Sequence, residues 1–375
     1  MNTKRDKRPR RPRKSVVDRF FARGHSWLTR ADSQDVVISS RVRLARNLAT
    51  HPFPERCTPE KRKEIWDTLR TVVLGLPELE KAISVEMTAL TELDKLFLLE
   101  RHLISRDFME TGEGAGLVAL HDGRVSIMVN EEDHVRLQVV LPGLELTSAW
   151  EAASRLDDGI DAAVGYAFSS RLGYLTACPS NVGTGMRTSV MVHLPGLVLS
   201  QEMEPIVRGL TKIGLTVRGL RGEGSEAAGN IFQISNQVTL GEGEGEIASN
   251  LSQIVQEVVE HEVNARMRLW QKNPVILQDH ILRAYGVLSH ARLLTTKEAL
   301  DFLSSLRLGV ILGILDGVGI NDLRKLMEEC QPAHLQKAVG RRLSSRERDF
   351  ERARLVREVL RPEEEAGGAT PREVE

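Results

Sequence analysis

Two apolar runs, Leu117–Leu120 and Val125–Val129, flank the pair Asp122-Gly123. Asp-Gly between such runs signals a type I′ turn, because both central residues of that turn need positive φ. The runs are therefore adjacent antiparallel strands, and a third run, Val135–Leu141, continues the meander. Doubly wound parallel sheets are disfavoured, since paired parallel strands need a helical crossover between them.

The rest of the chain fits an α+β class. Asp35–Ser39 reads as a short strand, and Thr58-Pro59 opens a helix to about Val73 with proline at its first position. A strand near Ala82–Glu86 and a helix near Ala89–Leu103 follow. After the meander a long helix is expected over about Leu146–Phe168. Strands are expected near Thr188–Leu194, Leu215–Arg218 and Ile231–Ser235, with a helix near Glu202–Ile213. Gly241–Glu246, with its Gly-Glu repeat, reads as a flexible turn. Beyond it nearly everything to Leu360 reads as helix, with capping boxes at Thr295/Glu298 and Ser344/Glu347. The expected division is a basic arm and lead-in over 1–30, a mixed domain over 31–261, a helical domain over 262–361 and a disordered tail over 362–375.

Composition narrows the function. Eight of residues 1–14 are Lys or Arg against one Asp, so the remaining chain is acidic within a net charge of -1. A globally basic nucleic-acid binder is not indicated. Aromatics make up 4% of the chain, which does not suggest base-stacking platforms. Cys57, Cys178 and Cys330 cannot all pair and form no CxxC, which disfavours a disulfide framework and a zinc ribbon. The apolar run Leu308–Leu315 ends at Asp316, too short to span a bilayer. With no apolar stretch behind the basic arm, a cytoplasmic location and no membrane association are expected. Signatures of P-loop nucleotide binding, the usual protein-kinase fold, zincin proteases and the GxSxG esterases are all absent.

No lysine occurs between Lys95 and Lys212, whereas eight arginines do. Anion handling in this stretch would use guanidinium forks. High genomic GC content is the plainer explanation. Four segments could carry chemistry. Ser39-Ser40-Arg41-Val42-Arg43 sets two arginines at i and i+2, on one face if the strand continues. A salt-bridged edge strand is the alternative. Asn130–Arg136 holds three acids and a histidine between two strands, as a solvated loop or as a carboxylate that positions a nucleophile or holds a metal. Cys178–Arg187 is a glycine-rich turn whose amides could cradle an anion, or a plain turn with a buried thiol. Arg218–Ser225 is a loop of alternating charge.

Together, SSRVRLARN, NEEDHVR, CPSNVGTGMR and RGLRGEGSEA resemble the phosphagen (guanidino) kinases, and more narrowly the bacterial protein arginine kinases of the McsB type. The resemblance implies a glutamine-synthetase-like antiparallel sheet flanked by helices, followed by an all-helical C-terminal domain. It also implies ATP and Mg2+ as cofactors, with no residue assigned as a metal ligand. Arg41, Arg43, Arg136, Arg187 and Arg218 would clamp the ATP phosphates, and His102 would contact the nucleotide. Ser39, Ser40, Val42, Thr188, Ser189, Val190, Met191, Gly219, Leu220, Arg221, Gly222 and Glu223 complete the implied ATP site. Glu132 would orient the substrate guanidinium and accept its proton, Glu223 would be the second carboxylate, and Cys178 would lie beside the guanidinium.

SSRVR begins at Ser39, without the separate helical domain that precedes it in small-molecule kinases, and this favours an exposed protein arginine as acceptor. A small-molecule guanidino kinase and an inactive phosphoarginine-binding adaptor are the alternatives. Arg348-Asp-Phe-Glu-Arg-Ala353 matches the RDxxRA motif of the McsB type. Arg348, Asp349, Arg352 and Ala353 are thus expected to form an allosteric phosphoarginine site. From spacing alone, an internal salt bridge explains those charges equally. The implied partners are protein substrates with exposed arginine, a transcriptional repressor, an activator protein, an ATP-dependent protease and a second copy of the chain.

Overall fold

Gly123 takes φ +74° but Asp122 does not have positive φ, so the turn is not the type I′ expected, although it still joins strands β3 (Gly116–Ala119) and β4 (Val125–Val129) as an antiparallel hairpin. The computed structural model describes residues 15–21, 36–219 and 227–360. The other strands are β1 (Val37–Arg46), β2 (Ile83–Glu86), β5 (Val135–Pro142), β8 (Met186–His193), β9 (Leu215–Gly219) and β10 (Ile231–Asn236). A separate hairpin is formed by β6 (Phe168–Ser169) and β7 (Gly173–Tyr174). The main sheet has eight strands in the order β2-β3-β4-β5-β1-β8-β10-β9, and all its pairs are antiparallel.

Helices of the first part are α1 (Asp18–Phe21), α2 (Pro59–Leu74), α3 (Glu92–Glu100), α4 (Leu146–Val164), α5 (Pro195–Leu199), α6 (Met203–Lys212) and α7 (Glu244–Lys272). The second part is α8 (Pro274–His290), α9 (Thr296–Ile311), α10 (Ile320–Glu329), α11 (Pro332–Val339) and α12 (Ser345–Leu360). The main core lies between one sheet face and α2, α4 and α7, with Val42, Leu44, Ile127, Val190, Trp66, Leu156 and Leu251 in one buried cluster. Trp66 packs so tightly on Gly116 that a Cβ there would meet its ring at 2.4 Å. At one end of the opposite face, Val140 and Ile231 share a second core with Leu300 and Leu303 of α9.

Several boundaries differ from the sequence expectation. β1 continues ten residues, through Arg46, because its buried positions run on past Ser39. The helix expected to reach Phe168 stops at Val164, where Gly165 turns the chain with φ +69°. α3 starts late, at the Thr91/Asp94 capping box, after a 3-10 turn at Met87–Ala89. Only the start of the Gly-Glu tract is a turn, since Glu244 already opens α7, and α7 runs through the expected division at 261–262. The capping boxes at Thr295 and Ser344 form. The arm 1–14 and the tail 362–375 lie outside the described residues.

The helical part is fastened to α3. The Glu100 carboxylate accepts the Ala333 N–H at 2.9 Å and the His334 N–H at 3.1 Å, capping α11 from another part of the fold. His334 also lies 2.9 Å from Glu100 and 3.2 Å from Glu328. Lys337 bonds Asp18 at 2.8 Å and also bonds Asp94.

Candidate active site

Directly opposed residues of an antiparallel pair project to the same face, and residues two apart on a strand do likewise. Arg41 lies opposite Ser189, and Arg43 opposite Arg187. Ser189 lies opposite Ser235, Met191 opposite Gln233, and Gln233 opposite Arg218. Ala45, two residues beyond Arg43, lies opposite Arg136. Register alone therefore brings the five arginines to one face. They line a cavity of about 420 Å³ together with His102, Gly219, Gln233 and Ser235.

Among the described residues few anions answer these cations. Arg41 donates to Ser189 Oγ at 3.1 Å and to Gln233 Oε1 at 2.6 Å, both neutral groups. Arg136 pairs with Glu131 at 2.5 Å. The Arg43 Nε is buried without a hydrogen-bond partner among the described residues. Burial, then the neighbouring Arg136 and Arg187, pushes the Arg41 pKa down to about 10. Burial, then crowding by Arg41, Arg136 and Arg187, holds that of Arg43 well below its ordinary value. A cation cluster that depresses its own pKa values favours a polyanionic ligand.

His102 follows α3 in the left-handed region, φ +56°, which carries its side chain to the edge of the chamber. Its carbonyl accepts from Gln138 Nε2 at 2.7 Å. Ser39, Arg41, Ser189 and Met191 line a narrower recess beside it. Four residues expected at the ATP site point elsewhere. Val42 and Val190 are packed in the main core, and Thr188 bonds Asn236 beneath the sheet. Ser40 is fully buried, donating to the Gly143 carbonyl at 2.8 Å. They alternate with the chamber-facing residues, so strand pleating turns their side chains away. Leu220, Arg221, Gly222 and Glu223 lie outside the described residues.

A second cavity of about 140 Å³ shares Arg43, Arg136 and Arg187 with the first. It adds Glu132, Cys178, Ser180, Asn181 and Gly185. The segment bearing Glu132 is a built turn. Asn130 takes φ +58° and donates to the Arg62 and Gly114 carbonyls at 2.8 and 2.6 Å. Asp133 and His134 are buried, Asp133 at the wall of the cavity, while Glu132 before them is exposed to it. Burial raises the Glu132 pKa, Asp133 and Glu131 raise it further, and Arg136 opposes them. Cys178 Sγ lies 3.0 Å from Ser180 Oγ.

Asn47 joins the segments that carry these groups. Its Nδ2 donates to Asp133 at 2.6 Å and to the Leu175 carbonyl at 3.1 Å, and its Oδ1 accepts the His134 N–H at 2.9 Å. Asp133 also accepts the Ala177 N–H at 2.7 Å. Sequence reasoning gave no role to Asn47, Asp133, Gln233 or Ser235. For the last two the polar half of the β10 alternation was a usable signal. For Asn47 and Asp133, 86 residues apart, no local signal exists.

In the Arg348–Ala353 segment, Arg352 and Ala353 are buried. Arg352 is committed internally, to the Cys330 carbonyl at 2.8 Å and to Asp349 at 2.7 Å. Its guanidinium is thus a structural tie, as the internal salt-bridge reading of these charges has it. Arg348, which donates to the Leu343 carbonyl at 2.8 Å, and Asp349 reach the surface. No described helix is long and apolar enough to cross a membrane.

Residues 64–265 match the family model of the ATP:guanido phosphotransferase C-terminal catalytic domain, and residues 274–370 that of the protein-arginine kinase McsB C-terminal domain. The chain is 44% identical over 338 residues to a protein-arginine kinase of Pelotomaculum thermopropionicum, covering 89% of this chain and 95% of the relative. It is 45% identical to one of Bacillus velezensis, covering 89% and 93%. Among solved structures it is similar to a lombricine kinase, with TM-score 0.55, 28% identity and coverage of 63% of this chain and 68% of that one. A duplicated taurocyamine kinase of Schistosoma mansoni gives TM-score 0.57 and 25% identity, covering 68% of this chain and 38% of that one. The guanidinium-lined chamber thus belongs to a guanidino-kinase catalytic domain, and the chain, which carries the McsB C-terminal domain behind it, is a member of the protein-arginine kinase family.

Proposed function

We propose that the chain transfers the γ-phosphoryl group of ATP to the guanidinium of arginine side chains in proteins. One observation carries the chemistry: the large arginine-lined cavity and the small one holding Glu132 and Cys178 share Arg43, Arg136 and Arg187. A triphosphate in the first would direct its terminal phosphorus toward an acceptor in the second. In the transfer a guanidinium nitrogen bonds phosphorus, the bond to the bridging oxygen of ADP breaks, and the nitrogen gives up a proton, which Glu132 accepts. The arginines neutralise charge on the transferring group, which is most of what phosphoryl transfer asks of a protein. Mg2+ would enter on the nucleotide, since the chamber presents guanidinium N–H donors that suit phosphate oxygens and not a cation.

The side chains proposed for the phosphate clamp are Arg41, Arg43, Arg136, Arg187 and Arg218, with Ser39, Ser189, Met191 and Gly219 at its walls and His102 at its edge. Glu223 is proposed as a second carboxylate on the sequence resemblance. We place the domain division at Asn273, between α7 and α8, rather than at 261–262. Resemblance also supports a phosphoarginine-responsive site at Arg348 and Asp349, with Arg352 and Ala353 as its frame. It further supports a cytoplasmic homodimer acting with a transcriptional repressor, an activator protein and an ATP-dependent protease, with phosphorylation marking proteins for degradation or altering repressor activity. The test is a competition of acceptors. ATP consumption should rise with an unfolded arginine-containing protein and stay near background with free arginine. The reverse preference would assign the chain to small-molecule guanidino kinases.

A further inference from the structure

The loop that supplies Cys178, Ser180 and Asn181 to the small cavity is held between two other chain segments. On one side the Tyr174 N–H of β7 donates to the Gly183 carbonyl at 2.8 Å. A Cβ on Gly173 would stand 2.3 Å from that oxygen, so the two backbones touch. On the other side Thr239 Oγ1 donates to the Ser180 and Val182 carbonyls at 3.1 and 2.8 Å, and the Thr184 N–H donates to the Thr239 carbonyl at 2.8 Å. A Cβ on Gly183 would meet the Thr239 carbonyl oxygen at 2.1 Å. Glycines thus let three segments stack backbone on backbone into one rim.

That rim carries apolar side chains left in water. Phe168 is 61% exposed, Leu172 38%, Val238 53% and Leu240 55%. Singly exposed apolar residues are ordinary, but these four come from two distant segments that grip the same loop. Phe168 is also held in place. Its ring meets Tyr174 edge-on at 5.2 Å, and Tyr174 lies 3.5 Å from the guanidinium of the buried Arg46.

We propose that this rim is the docking surface for the polypeptide around the target arginine, and that it selects arginines with an apolar side chain within two positions. The inference rests on the reading that the acceptor is a protein arginine. The loop gripped by these segments is the one that lends Cys178, Ser180 and Asn181 to the cavity that would take the guanidinium. In an extended segment the neighbours of that arginine lie roughly 3 to 7 Å along the chain, so they meet the rim while the guanidinium is seated.

The test compares two peptides of equal length with one arginine each, flanked two residues away on both sides by leucine or by serine. With the wild-type chain the leucine peptide should have about tenfold higher kcat/KM, as partial burial of a leucine side chain allows. In the double variant Phe168→Ser with Leu240→Ser the ratio should fall to about one, with KM for ATP and the thermal midpoint unchanged. A ratio near one in the wild type, or an unchanged ratio in the variant, overturns the proposal. So does loss of self-association in the variant with the ratio intact, which would make the rim a contact between copies. Phosphorylation of free arginine with neither peptide modified would overturn the protein-kinase reading itself.

Discussion

Asn47 at the end of β1 donates its Nδ2 to Asp133 at 2.6 Å, and through that bond the Glu132 turn and the Cys178 loop are held as one body. Neither side chain lines the chamber that would take phosphate. The pair acts by positioning. Asp133→Asn should lower kcat roughly 100-fold, the cost expected when a catalytic group is displaced by about 1 Å. KM for ATP should stay within a factor of two. A rise in KM for ATP matching the fall in kcat would show a general loss of structure instead.

Glu132→Gln keeps the shape of the turn and removes the proton acceptor. Phosphorylation should drop by roughly 10²- to 10⁴-fold, the usual contribution of a general base. ATP binding, followed by calorimetry, should persist. Turnover close to that of the wild type would remove Glu132 from the mechanism.

The same carboxylate sets a pH dependence. It must be ionised to accept a proton, and burial with Asp133 and Glu131 raises its pKa above the ordinary 4.5. Activity should therefore fall as pH drops through a value above that of a free glutamate. Asp133→Asn removes one of the raising charges, so the acid limb of its residual activity should move to lower pH. A limb that stays fixed would point to a different titrating group.

Arg218 enters the chamber from β9, opposite Gln233. Arg218→Ala should weaken ATP binding roughly 10- to 100-fold, as expected for loss of hydrogen bonds to a charged ligand, and should slow transfer as well. Unchanged ATP affinity would remove it from the clamp.

Much of this was legible beforehand, and the remainder has a common cause. The Asp122-Gly123 hairpin, the strand alternation and the caps at Thr58, Thr295 and Ser344 are local signals, and they form. Arg41 and Arg43 could be put on one face by their i, i+2 spacing. Their meeting with Arg136, Arg187 and Arg218 depends on register between strands far apart in sequence, which no local pattern encodes. Ser40, Val42, Thr188 and Val190 were grouped with their neighbours because a motif is contiguous, while a strand alternates. The Glu100–His334 junction spans 234 residues and leaves no trace in composition.

That junction gives a stability prediction. Burial alone would lower the His334 pKa, but hydrogen bonds that its ring donates to the Glu100 and Glu328 carboxylates outweigh it, and the pKa is raised above 6.5. The folded state therefore holds the proton more tightly than the unfolded one. Its stabilisation is complete below about pH 6.5 and is lost as pH rises through the raised value. The thermal midpoint should fall across that window in the wild type and lose this component in His334→Gln. Glu100→Ala, which leaves buried partners unanswered, should cost about 3 kcal/mol. A wild-type pH profile in His334→Gln would contradict the assignment.

The most direct test of the central claim is to locate the transferred phosphate. An unfolded acceptor protein incubated with the chain and ATP, then analysed by mass spectrometry under non-acidic conditions, should carry phosphate on arginine side chains, labile to acid and absent with Glu132→Gln. Phosphate on serine, threonine or histidine, or equal arginine modification by the Glu132→Gln variant, would contradict the account.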